Sequence, residues 1–188
     1  VGLLARLPAR IARTLDFLAT VERLKLVGRR VNVSGNGRPE SSAEHSWHAA
    51  LMAMLLAPEF PRGVDSDRVI RMLLVHDLVE VYAGDTFFFD NGSAKASQKA
   101  REARAAKRLF SQLDGRAGRE VRSLWREYEG FRTPEARYAK AIDMLQPMIQ
   151  NICADGECWK SNRVRLEDIR ERKKGRMRHD PKVWAIFE

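Results

Sequence analysis

Apolar residues recur at three- and four-residue intervals along most of the chain, while sustained two-residue alternation is absent. That spacing predicts an all-α protein. Leu3, Leu4, Leu7, Ile11, Leu15, Leu18 and Leu26 set out a first helix. Val1 to Leu15 bears arginines and no acids, as organellar leader peptides do, but the apolar repeat runs on past any such leader, so the segment reads as structure. Ser41-Ser42-Ala43-Glu44 has the form of a capping box and opens a helix near Ser42, which continues through His45, His48, Met52 and Leu55 and ends around Pro58. From Asp65, the positions of Val69, Ile70, Leu73 and Leu74 predict one helix that carries His76, Asp77 and Glu80 towards its end before Gly84.

After a Phe87 to Asn91 loop, residues Ala94 to Leu113 are rich in strong helix formers, and a further helix is expected over Gly118 to Glu129. Thr133-Pro134-Glu135 supplies an N-cap, a proline at the first helical position and an acid in the first turn. The helix it opens runs through Ile142, Leu145 and Ile149, with Pro147 as a kink point. The stretch from Arg29 to Pro39, with Gly35, Asn36 and Gly37, reads as a functional loop, and Asp155 to Asn162 as a second irregular segment. Neither has a linker's composition. With 188 residues, 44% of them hydrophobic, the chain fits a single domain over 1–188.

Charge narrows the partners without choosing one. The 34 basic and 25 acidic side chains leave +9, a balance that attracts phosphate on a nucleic acid or on a small molecule. The basic C-terminal segment, 163–188, is interrupted by Glu167, Asp168 and Glu171 and carries no recognised nucleic-acid motif, so it reads as a solvated helix. Cys153 and Cys158 lack the second pair that a zinc cluster needs and form no disulfide framework, which favours the reducing cytoplasm. No apolar run reaches the roughly 18 to 20 residues of a membrane span.

The chemistry is concentrated in few residues. His76 and Asp77 form an adjacent imidazole and carboxylate after the apolar run Met72 to Val75, where an unpartnered acid would be costly. His45 lies just inside a capped helix, and Asp143 interrupts the apolar face of Ala139, Ile142 and Met144, so three helices can converge on one cation. Glu80, three residues after Asp77, is either a solvated carboxylate or a general acid or base. Asp85 is either a turn residue or a hydrogen-bond acceptor for substrate. His179 falls in the basic tail and is expected in solvent.

Four ordered blocks, Glu22 to Arg29, Glu40 to His48, His76 to Asp85 and Lys140 to Leu145, resemble the HD-domain 5′-deoxynucleotidase family from about residue 15 to 160. The resemblance implies a single HD-domain helical bundle with one divalent transition metal, Mn, Co, Fe, Ni or Zn, on His45, His76, Asp77 and Asp143. It further implies that Arg29 orients the substrate phosphate, that Glu80 takes part in catalysis, and that Asp85 and Thr86 approach the sugar. His48 is then left to packing, and a homodimer is expected. Such a cation would lower the pKa of water and offset phosphate charge, while Arg29 presents a planar fork to the remaining oxygens. The implied reaction releases phosphate from a (deoxy)nucleoside 5′-monophosphate, a small-molecule partner. Arg30 stands where the family has an aromatic residue, and Thr86-Phe87-Phe88-Phe89 where it has a proline-bearing loop, so sugar preference stays open. The rival readings are an HD phosphohydrolase for another ester, a triphosphate or a cyclic nucleotide, and a basic nucleic-acid-binding protein.

Overall fold

The structure, a computed structural model, describes residues 7–35, 37–90 and 93–188. Leu3, Leu4, Asn36 and Asn91 of the expectations above lie outside them. The helices are α1 (Ala9–Val21), α2 (Ser42–Leu56), α3 (Ser66–Val75), α4 (Glu80–Ala83) and α5 (Ser93–Phe110). They continue with α6 (Gly115–Gly130), α7 (Pro134–Cys153), α8 (Glu157–Ser161), α9 (Leu166–Met177) and α10 (Pro181–Phe187). The all-α expectation holds, with one small addition. Gly28–Asn32 (β1) and Pro39–Ser41 (β2) pair antiparallel, Gly28 opposite Ser41 and Asn32 opposite Pro39. The segment read as a loop is therefore a ribbon, too short for an alternating pattern to register.

α2, α3, α6 and α7 enclose the main core around Ala49, Met72, Leu73, Leu124, Ala139 and Ile142, and α9 adds Ile169 and Met177. A second cluster joins Phe17 of α1 to Val79 and to Ala105, Leu109 and Phe110 of α5. Ser41 caps α2 with the reciprocal Glu44 bond, and Thr133 caps α7 through the Ala136 amide, as their sequences dictate.

Three differences from the sequence pattern matter. The helix expected from Asp65 to Gly84 breaks after Val75, turns through His76 to Val79, and resumes as α4. The turn keeps right-handed helical backbone at His76 and Val79 and tightens to three-residue hydrogen bonds, from the Leu78 N–H to the Val75 carbonyl at 3.3 Å and from the Glu80 N–H to the Asp77 carbonyl at 2.9 Å. The irregular Asp155 to Asn162 segment contains α8. The first helix ends at Val21 in a 3₁₀ turn over Glu22–Leu26, and its stripe of Leu7, Ile11, Leu15 and Leu18 is largely exposed, Phe17 being its buried anchor.

Candidate metal and phosphate site

The four expected ligands arrive from three structural devices. His45 comes from the first turn of α2, His76 and Asp77 from the break after α3, and Asp143 from the middle of α7. Ligand atoms of His45, His76 and Asp143 all lie within 4.8 Å of one another. His45 Nε2 is 3.0 Å and His76 Nε2 3.6 Å from Asp143 Oδ1. Asp77 completes the ring, with Oδ1 3.2 Å from His76 Nε2 and Oδ2 4.0 Å from His45 Nε2.

The tautomers of both imidazoles follow from their far nitrogens. His76 Nδ1 is 2.8 Å from the carbonyl oxygen of Leu73, one of those left free at the end of α3, so Nδ1 carries the hydrogen and donates it. His45 Nδ1 faces Gln146 Oε1 at 2.8 Å. That amide is oriented in turn: Gln146 Nε2 donates to Gln150 Oε1 at 2.6 Å, and Gln150 Nε2 donates to the Asn32 carbonyl at 2.7 Å. A carbonyl only accepts, so the polarity of the whole chain is fixed and His45 Nδ1 also donates.

Both Nε2 atoms are thereby presented as lone pairs towards carboxylate oxygens. His76 Nε2 is buried and has no hydrogen-bond partner among the described residues. Lone pairs facing anions repel one another unless positive charge sits between them, which is the arrangement that a metal-binding histidine shows when its other nitrogen is anchored. The residues therefore fit a divalent cation. The same demand appears in their protonation: burial opposes it, but Asp77 and Asp143 still raise the His76 pKa. Burial likewise opposes ionisation of Asp143, yet the neighbouring imidazoles of His45 and His76 hold its pKa well below the usual carboxylate range.

Arg29 projects from β1 into the same space. Its Nη1 is 3.2 Å from Asp77 Oδ2 and 3.6 Å from Asp85 Oδ1, and its Nε is 3.4 Å from Glu40 Oε2. Gly84, at φ +71, ends α4 in the left-handed region and turns the chain so that Asp85 faces Arg29. Glu80 is buried, and Ser42 Oγ donates to its Oε2 at 2.6 Å. Burial, then the charges of Asp77 and Asp85, push the Glu80 pKa well above the ordinary value.

These groups open onto a cavity of about 440 Å³, within the range of small-molecule sites. Arg30 and Thr86 line it but are engaged elsewhere. Arg30 lies 3.4 Å from Asp90 Oδ1 with its guanidinium over the Phe87 ring, and Thr86 Oγ1 accepts from Arg101 at 2.6 Å. His48 stays off the site, its Nδ1 lying 3.1 Å from Gln146 Nε2. His179 departs from expectation: it is half-buried with its ring edge-on to Tyr138.

Several contributors to the site carry no mark in the sequence pattern. Tyr128 of α6 donates to Asp143 Oδ2 at 2.6 Å, and its ring lies 4.9 Å from that of His76. Glu40 is buried against Arg29 and accepts from Gln146 Nε2 at 2.8 Å. The basic tail is not wholly solvated: Lys173 is buried, donates to the Met144 carbonyl at 2.7 Å, and has its pKa brought down to about 8 by desolvation. Arg172, Lys173 and Arg176 pack over Phe88 and Phe89 at the cavity rim.

The comparisons agree with this geometry. The HD domain family model matches residues 21–184. The chain is 32% identical to the 5′-deoxynucleotidase HDDC2 of Homo sapiens, over 93% of this chain and 83% of that protein. It is 33% identical to the Xenopus laevis protein of the same name, over 88% and 84%. Among solved structures, a predicted metal-dependent phosphohydrolase from Magnetospirillum magnetotacticum MS-1 superposes with a TM-score of 0.86 at 37% identity, covering 94% of this chain and 88% of that one. A Pyrococcus furiosus protein shares the fold, with a TM-score of 0.63 at 24% identity. The chain belongs to the HD domain family.

Proposed function

We propose that this protein is a metal-dependent phosphohydrolase that releases phosphate from (deoxy)nucleoside 5′-monophosphates. The pair of Nε2 lone pairs aimed at Asp77 and Asp143 is the observation that carries the reading, and the relatives named 5′-deoxynucleotidase support its substrate class. His45, His76, Asp77 and Asp143 hold one divalent transition metal; Mn, Co, Fe, Ni and Zn all suit mixed imidazole and carboxylate ligation. When bound, such a cation supplies Lewis acidity towards a phosphate oxygen and acidifies water.

The chain's own groups do the rest. Arg29 is held by three carboxylates that keep its guanidinium charged and in the plane the substrate meets, and it draws the phosphate's remaining oxygens to the mouth of the site. Burial and two neighbouring acids disfavour the Glu80 anion and favour its protonated form. Fixed by Ser42, it donates that proton to the departing 5′-oxygen. Asp85, Arg30 and Thr86 border the space left for the sugar.

The whole chain acts as one HD-type domain, a reading supported by Ile169 and Met177 of the basic segment sharing the main core. The exposed Leu7, Ile11, Leu15 and Leu18 stripe supports a homodimer. Among the described residues no helix is long and apolar enough to cross a membrane, and Cys153 and Cys158 are free thiols, which supports a cytoplasmic setting.

The test is phosphate release from a panel of deoxy- and ribonucleoside 5′-monophosphates after chelation and re-addition of each metal, with Asp77→Ala and Glu80→Gln alongside. Release should require metal, vanish with bound metal in Asp77→Ala, and slow in Glu80→Gln at full occupancy. A panel with no release from the metal-loaded parent would sink the proposal.

A further inference from the structure

The cations that line the cavity divide into two groups. Arg29 lies among Glu40, Asp77 and Asp85, Arg30 is 3.4 Å from Asp90 Oδ1, and Lys140 Nζ is 3.0 Å from Glu129 Oε1. Lys173 is turned back to the Met144 carbonyl. Lys95 and Lys99 of α5 and Arg176 of α9 line the same cavity, yet among the described residues no acid comes within 4.0 Å of their charged groups. The two acids that act on Lys95 are engaged elsewhere. Asp90 faces Arg30, while Glu102 accepts from Gln98 Nε2 at 2.7 Å and is driven towards its neutral form by burial.

These uncompensated charges are also brought together. The Lys95 ammonium is 5.5 Å and the Arg176 guanidinium carbon 5.7 Å from the centre of one ring, that of Phe88. Cation–π attraction offsets part of their mutual repulsion. The remainder shows in Lys95, whose pKa burial and then Arg176 lower. Lys99 follows Lys95 at four-residue spacing and adds a third positive group to that wall. Lys95 is half-buried and the other two are exposed, so all three can meet a ligand. The floor of the cavity has the opposite sign, with Asp77, Glu80, Asp85 and Asp143 around Arg29, and takes a phosphate once a divalent cation is bound. The basic wall is complementary to an anion as it stands. A nucleoside 5′-monophosphate has one anionic group, which the floor takes, and leaves the wall without a counterpart.

We infer that Lys95, Lys99 and Arg176 form a second phosphate subsite, and that the ligand it selects is a nucleotide phosphorylated on its 3′-oxygen as well as its 5′-oxygen. The inference rests on the nucleotide reading above. With the 5′-phosphate on the floor, the sugar occupies the middle of the cavity, and its 3′-oxygen is the next position that carries a phosphate ester in both deoxy- and ribonucleotides. The second phosphate of a 5′-diphosphate follows the first directly and stays among the acids of the floor. The bond hydrolysed is unchanged: water adds to the 5′-phosphorus, the P–O5′ bond breaks, and inorganic phosphate and a nucleoside 3′-monophosphate leave.

The test is competition. Thymidine release from thymidine 5′-monophosphate by the metal-loaded protein is inhibited with deoxyadenosine 3′,5′-bisphosphate, 5′-monophosphate or 5′-diphosphate, none of which yields thymidine. Part-exposed ion pairs each change affinity a few-fold, so the bisphosphate should bind about tenfold more tightly than the monophosphate at low salt, and the gap should close at high salt. The gap should also close in Lys95→Gln combined with Arg176→Gln. Lys107→Gln combined with Lys174→Gln removes the same charge from the same two helices away from the cavity, and should keep it. Equal inhibition by monophosphate and bisphosphate, an equal gain from the 5′-diphosphate, or an equal loss in both double variants overturns the subsite and leaves the hydrolase standing. A parent that releases nucleoside from no deoxynucleoside 5′-monophosphate overturns the hydrolase reading and the subsite with it.

Discussion

Tyr128→Phe isolates a single oxygen next to the metal site. The substitution keeps the ring that packs at 4.9 Å from His76 and removes only the hydroxyl that donates to Asp143 Oδ2 at 2.6 Å. Burial, reinforced by Asp143 and Asp77, raises the tyrosine pKa well above its ordinary value, so the hydroxyl stays a neutral donor throughout the working range. A hydrogen bond to a charged acceptor contributes about 1.5–3 kcal/mol. At about 1.4 kcal/mol per tenfold, its loss should weaken metal binding by about 10- to 100-fold, the range seen when the partner of a metal ligand is removed. The assay is calorimetric titration of chelator-stripped protein with Mn²⁺, followed by turnover at saturating metal. Turnover should recover to within a few-fold of the parent, because the reacting groups remain. An affinity within twofold of the parent, or a turnover defect that excess metal fails to rescue, would refute the idea that Tyr128 acts by holding Asp143.

Two further outcomes follow from buried charge and exposed apolar surface. The Lys173 pKa falls from 10.5 to about 8 on folding, so between those values the unfolded chain binds more protons, and stability rises with pH by about 3 kcal/mol across the window. Lys173→Met lacks that rise, and chemical denaturation of parent and variant at pH 7.5 and 10.5 should show the gap between them shift by that amount; parallel curves would contradict it. Sedimentation equilibrium should give twice the chain mass for the parent and a single chain for Leu15→Glu combined with Leu18→Glu, whereas a monomeric parent removes the dimer.

The sequence disclosed those parts of the molecule that depend on local rules. The capping box at Ser41 and the Thr133-Pro134-Glu135 start are short-range signals, and both helices begin where these place them. His45, His76, Asp77 and Asp143 stood out because imidazoles are scarce and acids on apolar faces are costly, and the fold brings all four together. The break after Val75 escaped because the apolar period runs smoothly across it. Tyr128 and Glu40 escaped because their partners lie far along the chain. A tyrosine on an amphipathic helix, or a glutamate on a short strand, carries no local mark of a partner that is distant in the chain. Lys173 was hidden by its neighbours, since one buried cation among many exposed ones looks like all the rest.

The amide chain from Asn32 through Gln150 and Gln146 to His45 makes a two-stranded ribbon a custodian of proton position. An isolated ribbon of that size has little stability of its own, yet one of its backbone oxygens dictates, at three removes, which imidazole nitrogen is free. Any change that slides β1 by a residue would offer Gln150 a different polarity to follow, and the buried imidazole in the first turn of α2 would meet the cation with the wrong atom. The register of the smallest element in the fold is thus a requirement for competence in its most buried one.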